Sequence, residues 1–369
     1  MRIVHLNPFY LPYAGGIERR IEATARHLAR DHEVHVVTAR QPGTPRGATD
    51  EDGVTVHRLE STFRFKRLYN PPVVSTPGLD EALGRIAPDV VDYHFRWSSS
   101  YNQAFRRVDA ARVLTYHNAW GEGRGLLGVL SRIHDARFRP TVEAAHRVAC
   151  VSGFIRRDLE RHGIDPGRLR VVPNGIEANG HAPDPGEPDT AVPRPYVVSV
   201  GRLVHLKGLE TLVDALARMP DEVHVVLVGE GPQAGRLRRR ARRLGVEDRL
   251  HLTGWVKEAE KRRLLRHAAA YVHPSRSEAF GMSVLEALAE GTPVVAARVG
   301  GLPEVVGEAG VLLGHDAVEW AEAAARMALE PDHRAALAAK AKKQAASFRW
   351  DATARRLAGV YEEAIDAAG

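Results

Sequence analysis

The sequence predicts an α/β protein of two doubly wound domains, each a parallel sheet with helices on both faces. Three observations carry that prediction. Short Val-rich runs alternate with amphipathic helical stretches almost from end to end. A proline-rich break interrupts the alternation at residues 178–195, with Pro183, Pro185, Pro188, Pro193 and Pro195 and few large apolar residues. The same alternation then restarts and ends in helices.

Before the break, the strand-like runs are residues 2–7, 33–38, 89–94, 112–117 and 147–151. Residues 17–30 keep Ile21, Ala25 and Leu28 at helical spacing. Residues 54–59 follow Asp52-Gly53 and alternate in character, which predicts an antiparallel edge or hairpin strand. After the break come strand-like runs at 196–200, 223–228, 249–253, 269–273 and 293–297, and a last helix over 351–367. The domains are therefore expected over about residues 1–180 and 190–349. Both should direct the carboxyl ends of their strands toward a shared cleft, where open parallel sheets bind ligands.

Composition narrows the function class. At 369 residues, 44% hydrophobic and 27% charged, the chain has the balance of a soluble globular protein with room for two cores. Its longest apolar runs, such as 223–228, are far too short to cross a bilayer. The opening Met1-Arg2-Ile3-Val4-His5-Leu6-Asn7 reads as a strand and not as a signal peptide. A single cysteine, Cys150, excludes an internal disulfide framework and fits a reducing cytoplasm. The net charge of +6 is too small to name a partner. In the densest basic run, 236–244, Leu237, Ala241 and Leu244 form one apolar stripe, so the arginines read as a solvated helix face. No module or interleaved aromatics point to nucleic acid.

Four segments follow strands and carry chemistry. In Pro274-Ser275-Arg276-Ser277-Glu278-Ala279-Phe280-Gly281-Met282-Ser283-Val284-Leu285-Glu286, a loop leads into a helix whose first N–H groups and dipole favour an anion. Glu278 precedes that helix and Glu286 lies about one turn into it, so the carboxylates suit hydroxyls on either side of a phosphate. Solvated helix-end glutamates are the plain alternative. Gly201-Arg202-Leu203-Val204-His205-Leu206-Lys207-Gly208 offers a guanidinium fork and a mobile ammonium, a pair suited to a diphosphate. Tyr13-Ala14-Gly15-Gly16-Ile17-Glu18 allows positive φ and close approach of an anion to a helix start, although a tight turn also explains it. His117 ends the strand at 112–117, where a structural histidine is the alternative. No cluster shows zinc spacing, and neither glycine pattern spells a dinucleotide fingerprint. Asp50-Glu51-Asp52 reads as surface charge in a polar turn.

Taken in order, these segments resemble the retaining GT-B glycosyltransferases of the family-4 kind. The resemblance covers nearly the whole chain: Gly15-Gly16, His117, Val172-Pro173-Asn174-Gly175-Ile176, Gly201-Arg202 with Lys207-Gly208, Gly229-Glu230-Gly231-Pro232, Glu278 with Glu286, and Phe348-Arg349-Trp350 before the last helix. It implies two Rossmann-like domains facing an interdomain cleft, with residues 350–369 crossing back onto the N-terminal one. It further implies that a nucleotide-diphosphate sugar, UDP- or GDP-linked, donates to an acceptor hydroxyl. Arg202 and Lys207 would hold the diphosphate, with backbone N–H groups around Gly281, Met282 and Ser283 and the Gly15-Gly16 loop. Glu286 would bind the ribose, Glu278 the transferred sugar, and His117 would lie beside that sugar. Phe280 falls within the donor-binding loop, and base contacts would come from near Trp255-Val256. No bound metal or other cofactor is expected.

The rivals are a nucleotide-sugar 2-epimerase on a similar fold, a binding protein that has lost turnover, and, more weakly, a dehydrogenase. The acceptor is the open point. Phe63-Arg64-Phe65-Lys66-Arg67-Leu68-Tyr69 mixes aromatics with cations. An ordinary surface loop explains it; contact with an anionic membrane or with a lipid-linked or cell-envelope acceptor, at the inner face of the plasma membrane, is the functional reading.

Overall fold

The computed structural model describes residues 1–13, 15–64, 73–121, 125–177 and 186–369. The chain divides into two compact units, Met1–Gly175 with Trp350–Gly369 and Ile176–Arg349. Residues 178–185 of the expected linker, and residues 65–69 of the aromatic and basic segment, lie outside the described residues.

The first unit contains strands β1 (Arg2–Leu6), β2 (Glu33–Ala39), β3 (Gly47–Glu51), β4 (Val54–Leu59), β5 (Thr62–Arg64), β6 (Val73–Ser75), β7 (Val90–Tyr93), β8 (Ala111–Tyr116), β9 (Arg147–Cys150) and β10 (Leu169–Val171). Eight form one sheet in the order β10-β9-β8-β7-β1-β2-β4-β3, while β5 and β6 make a separate hairpin. All neighbours in the large sheet are parallel except β3 and β4. The Val-rich runs are buried along nearly their whole length, as strands covered on both faces must be. Around this sheet lie α1 (Gly16–Leu28), α2 (Leu79–Ile86), α3 (Ser99–Arg107), α4 (Gly125–Ala144) and α5 (Gly153–Arg161).

Two expectations are corrected here. Residues 54–59 form the hairpin strand expected after Asp52-Gly53, antiparallel to β3, but β2 lies parallel on the other side, so the strand is internal and not an edge. The edge is β3, whose sequence Gly-Ala-Thr-Asp-Glu has no large apolar residue to announce it. Asp50 and Glu51 therefore close a strand, and only Asp52 and Gly53, both at positive φ, make the turn. Glu51 pairs with Arg58 at 2.6 Å.

The second unit contains β11 (Tyr196–Val200), β12 (His224–Val228), β13 (Leu250–Gly254), β14 (Ala270–His273), β15 (Val294–Ala297) and β16 (Gly310–Leu313). Their order is β13-β12-β11-β14-β15-β16, all parallel. Numbered within the unit this is 3-2-1-4-5-6, the doubly wound order whose ligands bind beyond the strand ends where the order reverses. The reversal falls between β11 and β14. In the first unit it falls between β1 and β7.

Helices α6 (Leu209–Leu216), α7 (Ala234–Arg243), α8 (Glu258–Arg266), α9 (Met282–Ala289), α10 (Leu302–Val306), α11 (Ala317–Leu329) and α12 (Pro331–Ala345) accompany the second sheet. The basic run lies on α7, where Leu237 and Ala241 are buried. Leu244 follows the last helical residue and is 41% exposed, so it falls outside the stripe. Arg240 is fastened to Asp214 and Arg242 to Glu247, which accounts for two of the charges as surface ion pairs.

The final helix, α13 (Trp350–Asp366), belongs to the first unit. Its Ala354, Leu357, Val360, Tyr361 and Ala364 share a core cluster with Ile3 of β1 and with Ile21, Ala25 and Leu28 of α1. Cys150 is buried and free, and burial pushes its thiol up to about 12, as suits a small core side chain. No helix among the described residues is long and apolar enough to cross a membrane.

Candidate functional site

The expected site residues are divided between the units: Gly15, Gly16 and His117 in the first, the others in the second. In the second unit they collect at the order reversal, in the loops after β11 and β14. These loops are docked backbone to backbone. The Arg276 N–H donates to the Leu206 carbonyl at 2.8 Å. Gly208 has φ +63°, and a Cβ there would stand 2.1 Å from the Pro274 carbonyl oxygen, so only glycine fits.

That docking brings Lys207 to Glu278. Lys207 Nζ donates to Glu278 Oε2 at 2.6 Å, and His273 Nε2 lies 3.0 Å from the same oxygen. Burial alone raises the pKa of Glu278, but the Lys207 charge and the His273 hydrogen bond outweigh it and hold the carboxyl at about 2. Glu278 is therefore an ionised acceptor at neutral pH. His273 is buried, and burial lowers its pKa despite the neighbouring carboxylate. Its Nδ1 lies 3.1 Å from the Tyr271 hydroxyl, which donates to Ser283 Oγ at 2.7 Å. A connected set of side chains thus runs from the loop cation to the first turn of α9.

The α9 start is open-handed in the physical sense. Gly281 caps it at φ +110°, where a Cβ would stand 2.7 Å from Leu302 Cδ2. The first N–H groups of a helix lack intrahelical partners, so Met282 and Ser283 present donors to an anion. Phe280 is buried and packs edge-on against Phe348, so its ring serves the core. Glu286, one turn in, receives Lys261 Nζ at 2.8 Å. Arg202 is exposed and makes no side-chain hydrogen bond or ion pair among the described residues. Val256 is half-buried beside Trp255, which is 72% exposed, in the turn between β13 and α8.

His273, Tyr271 and Lys261 were not singled out from the sequence. His273 had a signal, its place as the last residue of a strand beside a reactive loop. Lys261 had none, since only folding brings α8 beside α9.

In the first unit, Gly15 has extended φ −104° and Gly16 opens α1, so neither uses the positive φ that the pair permits. The constraint on Gly15 is contact: a Cβ would stand 2.4 Å from Glu18 Oε2. Glu18 reaches back to the N-cap in the manner of a capping box. Burial raises its pKa to about 7, against hydrogen bonds from its own N–H, that of Gly15 and the Asn7 side chain. The N–H groups at the start of α1 are thus engaged by the chain's own carboxyl group. His117 follows β8 and lies 3.2 Å, Nε2 to Nδ1, from His94.

His5, Asp92 and His94 bring potential ligand atoms within 4.8 Å of one another, from strands too far apart in sequence to show metal spacing. His5 Nδ1 and His94 Nε2 are hydrogen-bonded at 3.0 Å, and Asp92 accepts from Thr115 Oγ1 at 2.8 Å and from the Tyr361 hydroxyl at 2.7 Å. The cluster is a hydrogen-bonded network.

Comparison with known proteins follows the same two segments. The model of Glycosyltransferase Family 4 matches residues 14–179, and that of Glycosyl transferases group 1 matches residues 184–344. A D-inositol 3-phosphate glycosyltransferase from Actinosynnema mirum is 38% identical over 98% of this chain and 96% of its own length. One from Xylanimonas cellulosilytica is 38% identical over 56% of this chain, which there spans 54% of the relative. Among solved structures, Anabaena HepE in complex with UDP and glucose superposes with a TM-score of 0.73 at 21% identity, covering 97% of this chain and 98% of that one. This chain shares its GT-B fold, two Rossmann-like units. The chain belongs to the family-4 glycosyltransferases, a Glycosyltransferase Family 4 segment followed by one of Glycosyl transferases group 1.

Proposed function

We propose that the chain transfers a sugar from a UDP-sugar to a hydroxyl of a small phosphorylated polyol, retaining the anomeric configuration. The observation that carries the donor half is the Lys207–Glu278–His273 cluster beside the start of α9, at the order reversal of the second sheet. A cation, an ionised carboxylate and free helix amides stand there within one loop pair, the groups a diphosphate and a sugar hydroxyl require. HepE, of the same fold, holds UDP and glucose, which favours uridine over guanosine as the base. Relatives that share 38% identity are named for D-inositol 3-phosphate, which favours a phosphorylated acceptor.

The roles follow from charge. Cleavage of the anomeric C–O bond leaves negative charge on the diphosphate and positive charge on the sugar. Lys207, Arg202 and the N–H groups of Gly281, Met282 and Ser283 stabilise the first as it develops, with the Gly15-Gly16 loop as a secondary contact. Glu278, ionised, accepts from hydroxyls of the transferred sugar, and Glu286 from the ribose. Val256 contacts the base, and His117 acts on the transferred sugar. The acceptor attacks on the leaving-group face, and no side chain is assigned as nucleophile. The protein's own cations carry the charge neutralisation, so the scheme assigns no metal. A lipid-linked or envelope acceptor, reached from the inner membrane face through residues 63–69, is the competing acceptor.

A thermal-shift series with UDP, GDP and ADP tests the donor half. A ligand at a hundred times its Kd adds about 2.7 kcal/mol of stability. A shift with UDP that is lost in Lys207→Ala and Glu286→Ala is expected. No shift with any nucleotide contradicts the reading, and a shift with GDP alone reassigns the base.

A further inference from the structure

We propose that His94 and His5 form a buried relay that sets the tautomer of His117, so that His117 meets its ligand as an Nδ1–H hydrogen-bond donor. The inference rests on the reading of His117 as a group that contacts the transferred sugar.

Strand order creates the relay. His5 lies in β1, His94 directly follows β7 and His117 directly follows β8, and these three strands are neighbours in the sheet. His5 Nδ1 lies 3.0 Å from His94 Nε2, and His94 Nδ1 lies 3.2 Å from His117 Nε2. The ring centroids are 5.2 and 5.5 Å apart and each pair of planes is tilted by 37°, so the rings do not stack and the contacts run through nitrogen. His5 and His94 are buried. Burial, with the positive charge of Arg20 added, holds all three rings below the usual histidine range, so each carries one N–H.

Three neutral rings joined by two hydrogen bonds have two possible polarities. If the protons point inward, from His117 toward His5, the single proton of His5 must sit on Nε2. If they point outward, His5 donates from Nδ1 and its Nε2 is a bare acceptor. His5 Nε2 is buried and has no hydrogen-bond partner among the described residues. A buried N–H without an acceptor is rarer in folded proteins than an acceptor with a lone pair to spare. The outward polarity follows.

Asp92 Oδ2 lies 3.4 Å from His94 Nε2 and 3.8 Å from His5 Nδ1, alongside the hydrogen bond between the two rings. That carboxylate is fixed by Thr115 and by Tyr361 of α13. With outward polarity, His94 donates from Nδ1 to His117 Nε2, and the proton of His117 is left on Nδ1. His117 then has no free lone pair with which to act as a base. It orients a sugar oxygen by donating to it. His94 and His5 are positioning residues that act through His117.

The test is imidazole 15N NMR on the full chain labelled at histidine, with resonances assigned from His5→Gln, His94→Phe and His117→Gln. The proposal expects His117 protonated on Nδ1 and bare on Nε2, and His94 likewise protonated on Nδ1. A wild-type His117 protonated on Nε2 overturns it, whatever the variants do. Turnover adds a second readout. His94→Phe should lower kcat about 10-fold or more with the donor KM unchanged. His94→Asn, whose amide N–H stands near the place of Nδ1, should recover most of that loss; equal loss in both variants overturns the relay. A stoichiometric metal found on His5, Asp92 and His94 by elemental analysis also overturns it. Calorimetry with UDP on the same samples keeps the questions apart. Failure of the wild type to bind nucleotide strikes the donor reading, while the tautomer measurement stands independently.

Discussion

Replacing Lys207 with methionine should return the Glu278 carboxyl to the pH range of a buried acid. In the wild type, burial works to raise its pKa, yet Lys207 at 2.6 Å and His273 at 3.0 Å hold it at about 2, against an ordinary 4.5. That difference corresponds to about 3 kcal/mol of stability at neutral pH, an upper figure because water partly screens both side chains. The sign follows from a folded pKa below the unfolded one. The stabilisation is complete above 4.5 and is lost as pH falls from 4.5 through 2. With the lysine gone, burial becomes the largest influence and the carboxyl should titrate above 4.5. The assay is 13C NMR of glutamate carboxyls from pH 7 down to pH 3, with Glu278 assigned from Glu278→Gln. Wild-type Glu278 should show no titration in that window, and in Lys207→Met it should titrate within it. A wild-type midpoint near 4.5, or an unchanged curve in the variant, refutes the coupling.

Other perturbations follow from the same geometry. Gly208→Ala sets a Cβ 2.1 Å from the Pro274 carbonyl at positive φ, and should destabilise the second unit by about 2 kcal/mol or more in urea unfolding. Lys261→Met strips Glu286 of its 2.8 Å partner, a largely buried pair whose breaking costs about 3 kcal/mol, and should lower the unfolding midpoint at pH 7. Glu18 titrates the opposite way to Glu278, because burial raises it from 4.5 to about 7. Its contribution to stability is complete below 4.5 and is lost as pH rises through 7, by about 3 kcal/mol. Glu18→Gln should remove that slope from a stability profile between pH 4.5 and 8, leaving the slope of Asp92, which burial raises from 3.8 to about 6.

What the sequence could show was decided by periodicity. Runs such as 196–200 and 147–151 are short, Val-rich and bounded by polar residues, because strands buried on both faces need apolar side chains in both directions. Those strands were legible to within a residue or two. β3 was not, since an edge strand of Gly-Ala-Thr-Asp-Glu buries too little to leave a pattern. Nor was β16, whose Gly310–Leu313 offers only three apolar residues after a glycine. Glu278, Lys207 and the start of α9 could be named because each follows a strand and precedes a helix. The Lys207–Glu278 contact could not, because 71 residues separate the partners and only the pairing of β11 with β14 joins their loops. The histidine relay was hidden for the same reason: His5, His94 and His117 become neighbours through the order β8-β7-β1 alone. The Gly15-Gly16 pair was read as a source of positive φ, whereas the folded chain uses Gly15 to admit the Glu18 carboxyl group.

The most direct test of the transferase reading is 1H NMR of the chain incubated with a UDP-sugar and a phosphorylated cyclitol, following the anomeric proton and nucleotide release together. The account predicts UDP released in step with a new glycoside of the donor's own anomeric configuration, only when acceptor is present, and lost in Glu278→Gln. A donor sugar epimerised without acceptor, or a product of inverted configuration, contradicts it.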